Sequence, residues 1–146
     1  SPLWGDANHA WTVGSFPSYS LEAVMYAQYL EENQPDATVA LLTQNDDFGQ
    51  AYVDTFKAAI EGTDITVVAE ETYDFTNPDT TSQVTSLASS DADAVVLGTT
   101  ALACPNALNA VNASNWDPTI FISGTCTSPT LSRPWPSCQL MPRVRT

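Results

Sequence analysis

Residues 38 to 49 read Thr38-Val39-Ala40-Leu41-Leu42-Thr43-Gln44-Asn45-Asp46-Asp47-Phe48-Gly49, and this stretch decides the fold. Its first half is a continuous apolar run rather than an apolar–polar alternation. Such a run suits a strand covered on both faces, the condition of a strand inside a parallel sheet. Its second half is a polar loop. Beyond the loop, Tyr52, Val53, Phe56 and Ile60 recur at helical spacing, and Gly62 supplies the stop. Strand, loop and helix are the repeating unit of an α/β sheet.

The same grammar recurs on either side. Upstream, residues 20–33 read as a helix capped by Ser18 or Ser20, with Leu21, Val24, Met25 and Tyr29 on one face. Asn33-Gln34-Pro35-Asp36 ends it. Downstream, residues 65–69 read as a second strand and residues 71–78 as a loop. Asp79 then caps a helix carrying Val84, Leu87 and Ala88. Ala94-Val95-Val96-Leu97-Gly98 is a third strand. A shorter helix follows, with Pro105 near its first turn, where an amide has no helical partner to lose. Thr119-Ile120-Phe121-Ile122 is a fourth strand. Strand starts at 38, 65, 94 and 119 are spaced by 27, 29 and 25 residues, about one strand–helix–strand unit each. The expected fold is α/β: an open parallel sheet of about four strands with helices on both faces, a Rossmann-like lobe.

A chain of 146 residues, 43% hydrophobic, supports one core. No apolar run approaches the length of a membrane-spanning helix. The chain starts at Ser1 with no basic, apolar leader, as expected of a mature or truncated piece. Seventeen acids against four bases give a net charge of −13, and every acid lies at or before Asp117. A body this acidic repels nucleic acid and anionic membrane surfaces, so no nucleic-acid partner is expected. Residues 1–131 form the expected lobe. After Leu131 the composition breaks: residues 132–146 hold three prolines, Arg133, Arg143 and Arg145, and no period. A disordered basic tail and a reading-frame slip are the two explanations. The simultaneous change in every property favours the slip.

In open parallel sheets ligands bind beyond the carboxyl ends of the strands. That edge should comprise residues 44–49, Glu70-Glu71, Gly98-Thr99-Thr100 and Ser123-Gly124-Thr125-Cys126. It is rich in hydroxyls, amides and carboxylates, and it has no Lys, Arg or His. Neither a GxGxxG turn nor a GxxxxGK[ST] loop is present, so dinucleotide and triphosphate cradles are not encoded. Asp46-Asp47 suggests a phospho-acceptor receiver, but the acceptor Asp and the Lys of such a site are missing, and capping carboxylates explain the pair. His9 precedes the whole sheet, so no hydrolase triad is assembled. Three Cys and one His do not space as a metal site. Neither an enzyme nor a cofactor is expected.

Trp11-Thr12, Pro17-Ser18-Tyr19, Glu22-Ala23 and Val39-Ala40-Leu41-Leu42 running into Asn45-Asp46-Asp47-Phe48-Gly49 resemble type I periplasmic binding proteins. Glu70-Glu71-Thr72-Tyr73, Gln83-Val84 and Asp93-Ala94-Val95-Val96-Leu97-Gly98 continue the resemblance in order, across roughly residues 4–131. The subgroup resembled is the leucine/isoleucine/valine-binding type that serves ABC transporters. The resemblance implies most of the second lobe of a two-lobed protein that closes by a hinge on a ligand between its lobes. It implies a periplasmic or extracellular location, with a lipid anchor at a missing N-terminus as one means of attachment. The implied partners are a small molecule (an amino acid, an amide or a related solute) and a transporter permease. A sensory receptor with the same fold is the alternative.

Carried onto this sequence, the family's ligand contacts fall on Asn45 and Phe48 after the first strand, on Thr99 and Thr100 after the third, and on Thr125 after the fourth. Relatives often have an aromatic after the third strand, and amino-acid binders an acid after the fourth. This chain has Thr-Thr-Ala and Thr-Cys at those places, which keeps amides and aromatic acids open as ligands. Each expected contact also has a plain structural reading: Phe48 as a plug on Tyr52, and the threonines as a helix cap. Tyr19 and Tyr73 read as packing residues.

Cys104 and Cys126 lie just beyond the ends of consecutive strands, which are usually neighbours in space. A disulfide between them is expected in an oxidising compartment, with two buried thiols as the alternative. Cys138 would remain the odd thiol.

Overall fold

The computed structural model describes residues 7–11, 13–14 and 17–128, and the 132–146 segment singled out above lies outside them. A 3-10 turn, Ala7–His9, precedes the main body. Then follow α1 (Tyr19–Asn33), β1 (Thr38–Gln44), α2 (Asp47–Ala59), β2 (Thr66–Tyr73), α3 (Thr81–Ala88), β3 (Ala94–Gly98), α4 (Ala103–Ala113) and β4 (Thr119–Ile122), with a closing 3-10 turn, Gly124–Cys126. The strands form one parallel sheet in the order β2-β1-β3-β4. This is the open α/β architecture expected from the strand spacing. Because β2 and β3 lie on opposite sides of β1, the chain reverses direction across the sheet between β1 and β3, which opens a crevice beyond their carboxyl ends.

Alternate residues of the buried strands feed two cores. Val39 and Leu41 of β1, with Val96 of β3, pack under α1 and α2 against Leu30, Tyr52 and Phe56. Ala40 and Leu42, with Val95 and Leu97, pack under α3 and α4 against Val84, Leu87, Ala107 and Val111. Full burial on both faces is why β1 and β3 read as unbroken apolar runs.

Two expectations are corrected. First, β2 continues to Tyr73, so Glu70 and Glu71 lie within the strand rather than beyond it. Its exposed and half-buried residues alternate, as an edge strand requires, and the polar half of that alternation imitates a loop. Second, α1 does not bury the Leu21–Met25 stripe, since Leu21 and Met25 are about half exposed. Its core face is Ala23, Ala27 and Leu30. Small alanines let α1 approach closely, and that contact outweighs the larger apolar stripe.

The caps follow the sequence chemistry. Ser18 Oγ accepts from the Leu21 amide, and Asp46 Oδ1 accepts from the amides of Phe48 and Gly49. Helix α2 therefore begins at once after β1, taking Phe48 and Gly49 into its first turn. Gly49 is required there: a Cβ at this position would lie 1.8 Å from the Gln44 carbonyl oxygen. Asp79 acts one residue earlier than a true N-cap, accepting from the amide and hydroxyl of Thr81. Gly62, beyond the end of α2, has φ +86, the left-handed region that glycine tolerates best.

Candidate functional site

The crevice between β1 and β3 is bridged by side chains from three strand exits. Gln44, the last residue of β1, accepts at Oε1 from the hydroxyl of Thr100 at 2.7 Å and from that of Tyr73 at 3.0 Å. The Thr100 amide in turn donates to the Tyr73 hydroxyl at 3.0 Å. The other end of the Gln44 side chain donates from Nε2 to Asp46. Behind this network, the Asn45 amide donates to the Tyr73 carbonyl. Burial raises the Tyr73 phenol above its ordinary value, so it stays protonated and able to donate.

The next residue, Ala101, holds φ +48, a left-handed conformation that costs a non-glycine residue about 1–2 kcal/mol. It turns the chain so that Leu102 stands out beside Phe75, both about 60% exposed. With Tyr73, Pro78, Thr100 and Ala101 they line an apolar hollow of about 90 Å³. A larger groove of about 370 Å³ runs down the side of the sheet between α2 and β2. It is open, floored by Leu41 and Val53, and crossed by a Lys57–Glu70 ion pair at 2.7 Å.

The other half of the edge lies beyond β4, where a disulfide joins Cys104 to Cys126 with a Cα–Cα distance of 5.5 Å. It ties the first turn of α4 to the Gly124–Cys126 turn. Thr99 is fully buried here, and its hydroxyl lies 3.3 Å from the Cys126 sulfur. Thr125 is exposed, but its hydroxyl donates to the Thr99 carbonyl at 3.0 Å and lies 2.9 Å from Ser123 Oγ.

The residues expected to contact a ligand therefore separate. Thr100 sits in the crevice with its hydroxyl bound to Gln44. Asn45 is exposed beside it. Thr99 has no accessible surface and shapes the loop from within. Thr125 presents its body rather than a free hydroxyl. Phe48 is half-buried, stacked edge-on between Tyr19 (centroids 4.4 Å) and Tyr52 (5.4 Å). Gln44 and Tyr73 carry the bridge; the sequence marks Gln44 as an edge residue and Tyr73 as packing, and Tyr73 does pack, its ring buried in the core while its hydroxyl joins the bridge. The signal for Tyr73 was the alternation of Val67, Ala69, Glu71 and Tyr73, which a longer strand explains. Among the described residues, no group of three or more His, Cys, Asp or Glu side chains gathers to hold a metal ion.

Among the described residues the edge offers amide, hydroxyl and carboxylate groups, apolar flanks and no cation. That is the chemistry of a surface that binds and orients a small solute. The periplasmic binding protein family matches residues 1–136. No curated protein matches. Among solved structures, the chain is similar to an extracellular ligand-binding receptor from Rhodopseudomonas palustris HaA2, with TM-score 0.74 and 20% identity over 83% of this chain and 33% of that one. It is also similar to a fatty acid ABC transporter substrate-binding protein from Thermomonospora curvata, with TM-score 0.71 and 21% identity over 79% and 30%. A third likeness is to a provisionally assigned branched-chain amino acid ABC transporter protein from Rhodospirillum rubrum, with TM-score 0.70 and 18% identity over 81% and 34%. The chain spans about a third of the length of each of these structures. With the family match running through nearly all of its residues, the chain belongs to the periplasmic binding protein family, whose members bind solutes rather than transform them.

Proposed function

We propose that this chain is one lobe of the substrate-binding component of an ABC uptake system, located in the periplasm or outside the cell. It serves small polar solutes, branched-chain amino acids or related amides among them. The observation that carries the reading is the Gln44–Thr100–Tyr73 bridge at the β1/β3 crevice, flanked by the apolar Phe75–Leu102 rim. A solute seated there meets oriented hydrogen-bonding groups beside an apolar wall. A second lobe closes over it by a hinge, and the closed form engages the permease. Closure is favoured only to the extent that the solute touches both lobes. Among the described residues the edge carries Asp46 and Asp47 and no Lys, Arg or His, which argues for neutral or cationic groups, rather than anionic ones, on the part of the solute that faces this lobe.

Titration calorimetry of the two-lobed protein against a panel of amino acids, amides and short carboxylic acids tests the reading. Binding of at least one solute in the micromolar range, weakened by Thr100→Val, is the expected result. A two-lobed protein that binds nothing on the panel, or whose affinity ignores Thr100, overturns it.

A further inference from the structure

The exit of β4 is held from the opposite layer of the fold. Glu22, on the first turn of α1, reaches across to the Gly124 amide, which donates to its Oε2 at 3.2 Å. The Tyr52 hydroxyl, from α2, donates to the same oxygen, and that of Tyr26 lies 3.5 Å from it. Tyr26 also donates to the Ile122 carbonyl at 2.7 Å, so α1 grips the last residue of β4 as well as the turn beyond it. A Cβ on Gly124 would lie 2.7 Å from Glu22 Oε1 and 3.6 Å from its Cδ, and among the described residues, its chain neighbours aside, nothing else would come within 4 Å. The glycine thus leaves the space that the carboxylate fills. At its other end the same turn is fixed by the Cys126–Cys104 disulfide.

We infer that Glu22 is a positioning residue of the binding edge, whose carboxylate clasps Gly124 and fixes the 123–127 segment that carries Thr125, on the β4 side of the same sheet edge as the crevice. The inference rests on the reading of that crevice as the solute site. The disulfide and the Thr125–Thr99 bond hold one side of this turn, and the clasp holds its start, so solute binding does not have to supply the ordering of that start. Tyr52 couples the clasp to the Phe48 ring that stacks on it, which joins the β1 and β4 exits in one rigid edge.

Glu22→Ala, Glu22→Gln and Gly124→Ala, together with the Glu22→Ala/Gly124→Ala double variant, test it in the two-lobed protein. The assay is calorimetry with the tightest-binding solute of the panel above, with hydrogen exchange of the Gly124 amide followed in parallel. Glu22→Ala should weaken binding about tenfold, the scale of one hydrogen bond to a charged group, and speed Gly124 exchange. Glu22→Gln, which keeps an acceptor oxygen, should recover most of the affinity. Gly124→Ala should act like Glu22→Ala by displacing the carboxylate, and the double variant should be no worse than either single one, because both break the same contact. Unchanged affinity and unchanged Gly124 exchange in Glu22→Ala, or additive losses in the double variant, overturn the clasp. If the wild-type protein binds no solute, the proposed function fails instead. Gly124 exchange in this chain then still decides the clasp: faster in Glu22→Ala supports it, and unchanged overturns it.

Discussion

The hydroxyl of Thr100 donates to Oε1 of Gln44 across 2.7 Å, joining the exits of two adjacent parallel strands that are 56 residues apart in sequence. Gln44 ends β1 and Thr100 follows β3, so this bond spans the place where the sheet reverses its winding. Removing either side chain opens the bridge. Thr100→Val should cost about 1 kcal/mol of stability, and Gln44→Ala a similar amount. The double variant should cost less than their sum, because the two share one interaction. Urea unfolding of the four proteins measures the cycle.

Phe48 packs edge-on against two tyrosines, so its ring carries stability as well as any contact with a solute. Phe48→Ala should lower stability by about 1–2 kcal/mol, less than for a fully buried ring because Phe48 is only half covered. Phe48→Leu should retain roughly half of the difference. Thermal unfolding followed by circular dichroism reads both.

The disulfide closes a separation of 22 residues and should stabilise the fold by about 3 kcal/mol in the chain-entropy picture. Paired Cys104→Ala and Cys126→Ala substitutions should lower the melting temperature accordingly. Thiol counting on the oxidised, denatured chain should find one free thiol, that of Cys138.

Alkaline pH should destabilise the protein through Tyr52 and Tyr26. Burial first, and then the Glu22 carboxylate, holds both phenols protonated well above the ordinary value of 10.0. Below pH 10 the folded and unfolded chains both keep these protons, and the contribution is whole. Above it the unfolded chain releases protons that the folded chain retains, so stability falls as pH rises. Urea midpoints at pH 9 and pH 11 should show a loss for the wild type and a smaller one for Tyr52→Phe.

Most of the architecture was legible in sequence because β1 and β3 are covered on both faces and carry their burial as local apolar runs. The reading failed at two elements whose burial is one-sided, β2 and α1. Edge strand β2 places Glu70 and Thr72 toward solvent, and its last three residues read as a loop. Helix α1 buries alanines, whose small side chains give a weak periodic signal beside Leu21 and Met25. The site was legible only as an edge. Which hydroxyl meets which acceptor depends on the sheet order β2-β1-β3-β4, and no local pattern encodes the pairing of Gln44 with Thr100 or of Glu22 with Gly124.

On the proposed function, the crevice beyond β1 and β3 is the solute-binding face of this lobe. Amide chemical-shift mapping of the chain by nuclear magnetic resonance tests it most directly, with panel solutes at millimolar concentration to compensate for a half-site. The largest shifts should fall on Gln44, Asn45, Phe48, Thr100 and Ala101. Shifts that gather instead along the α2–β2 groove around Lys57 and Glu70, or that show no focus at all, would contradict the account.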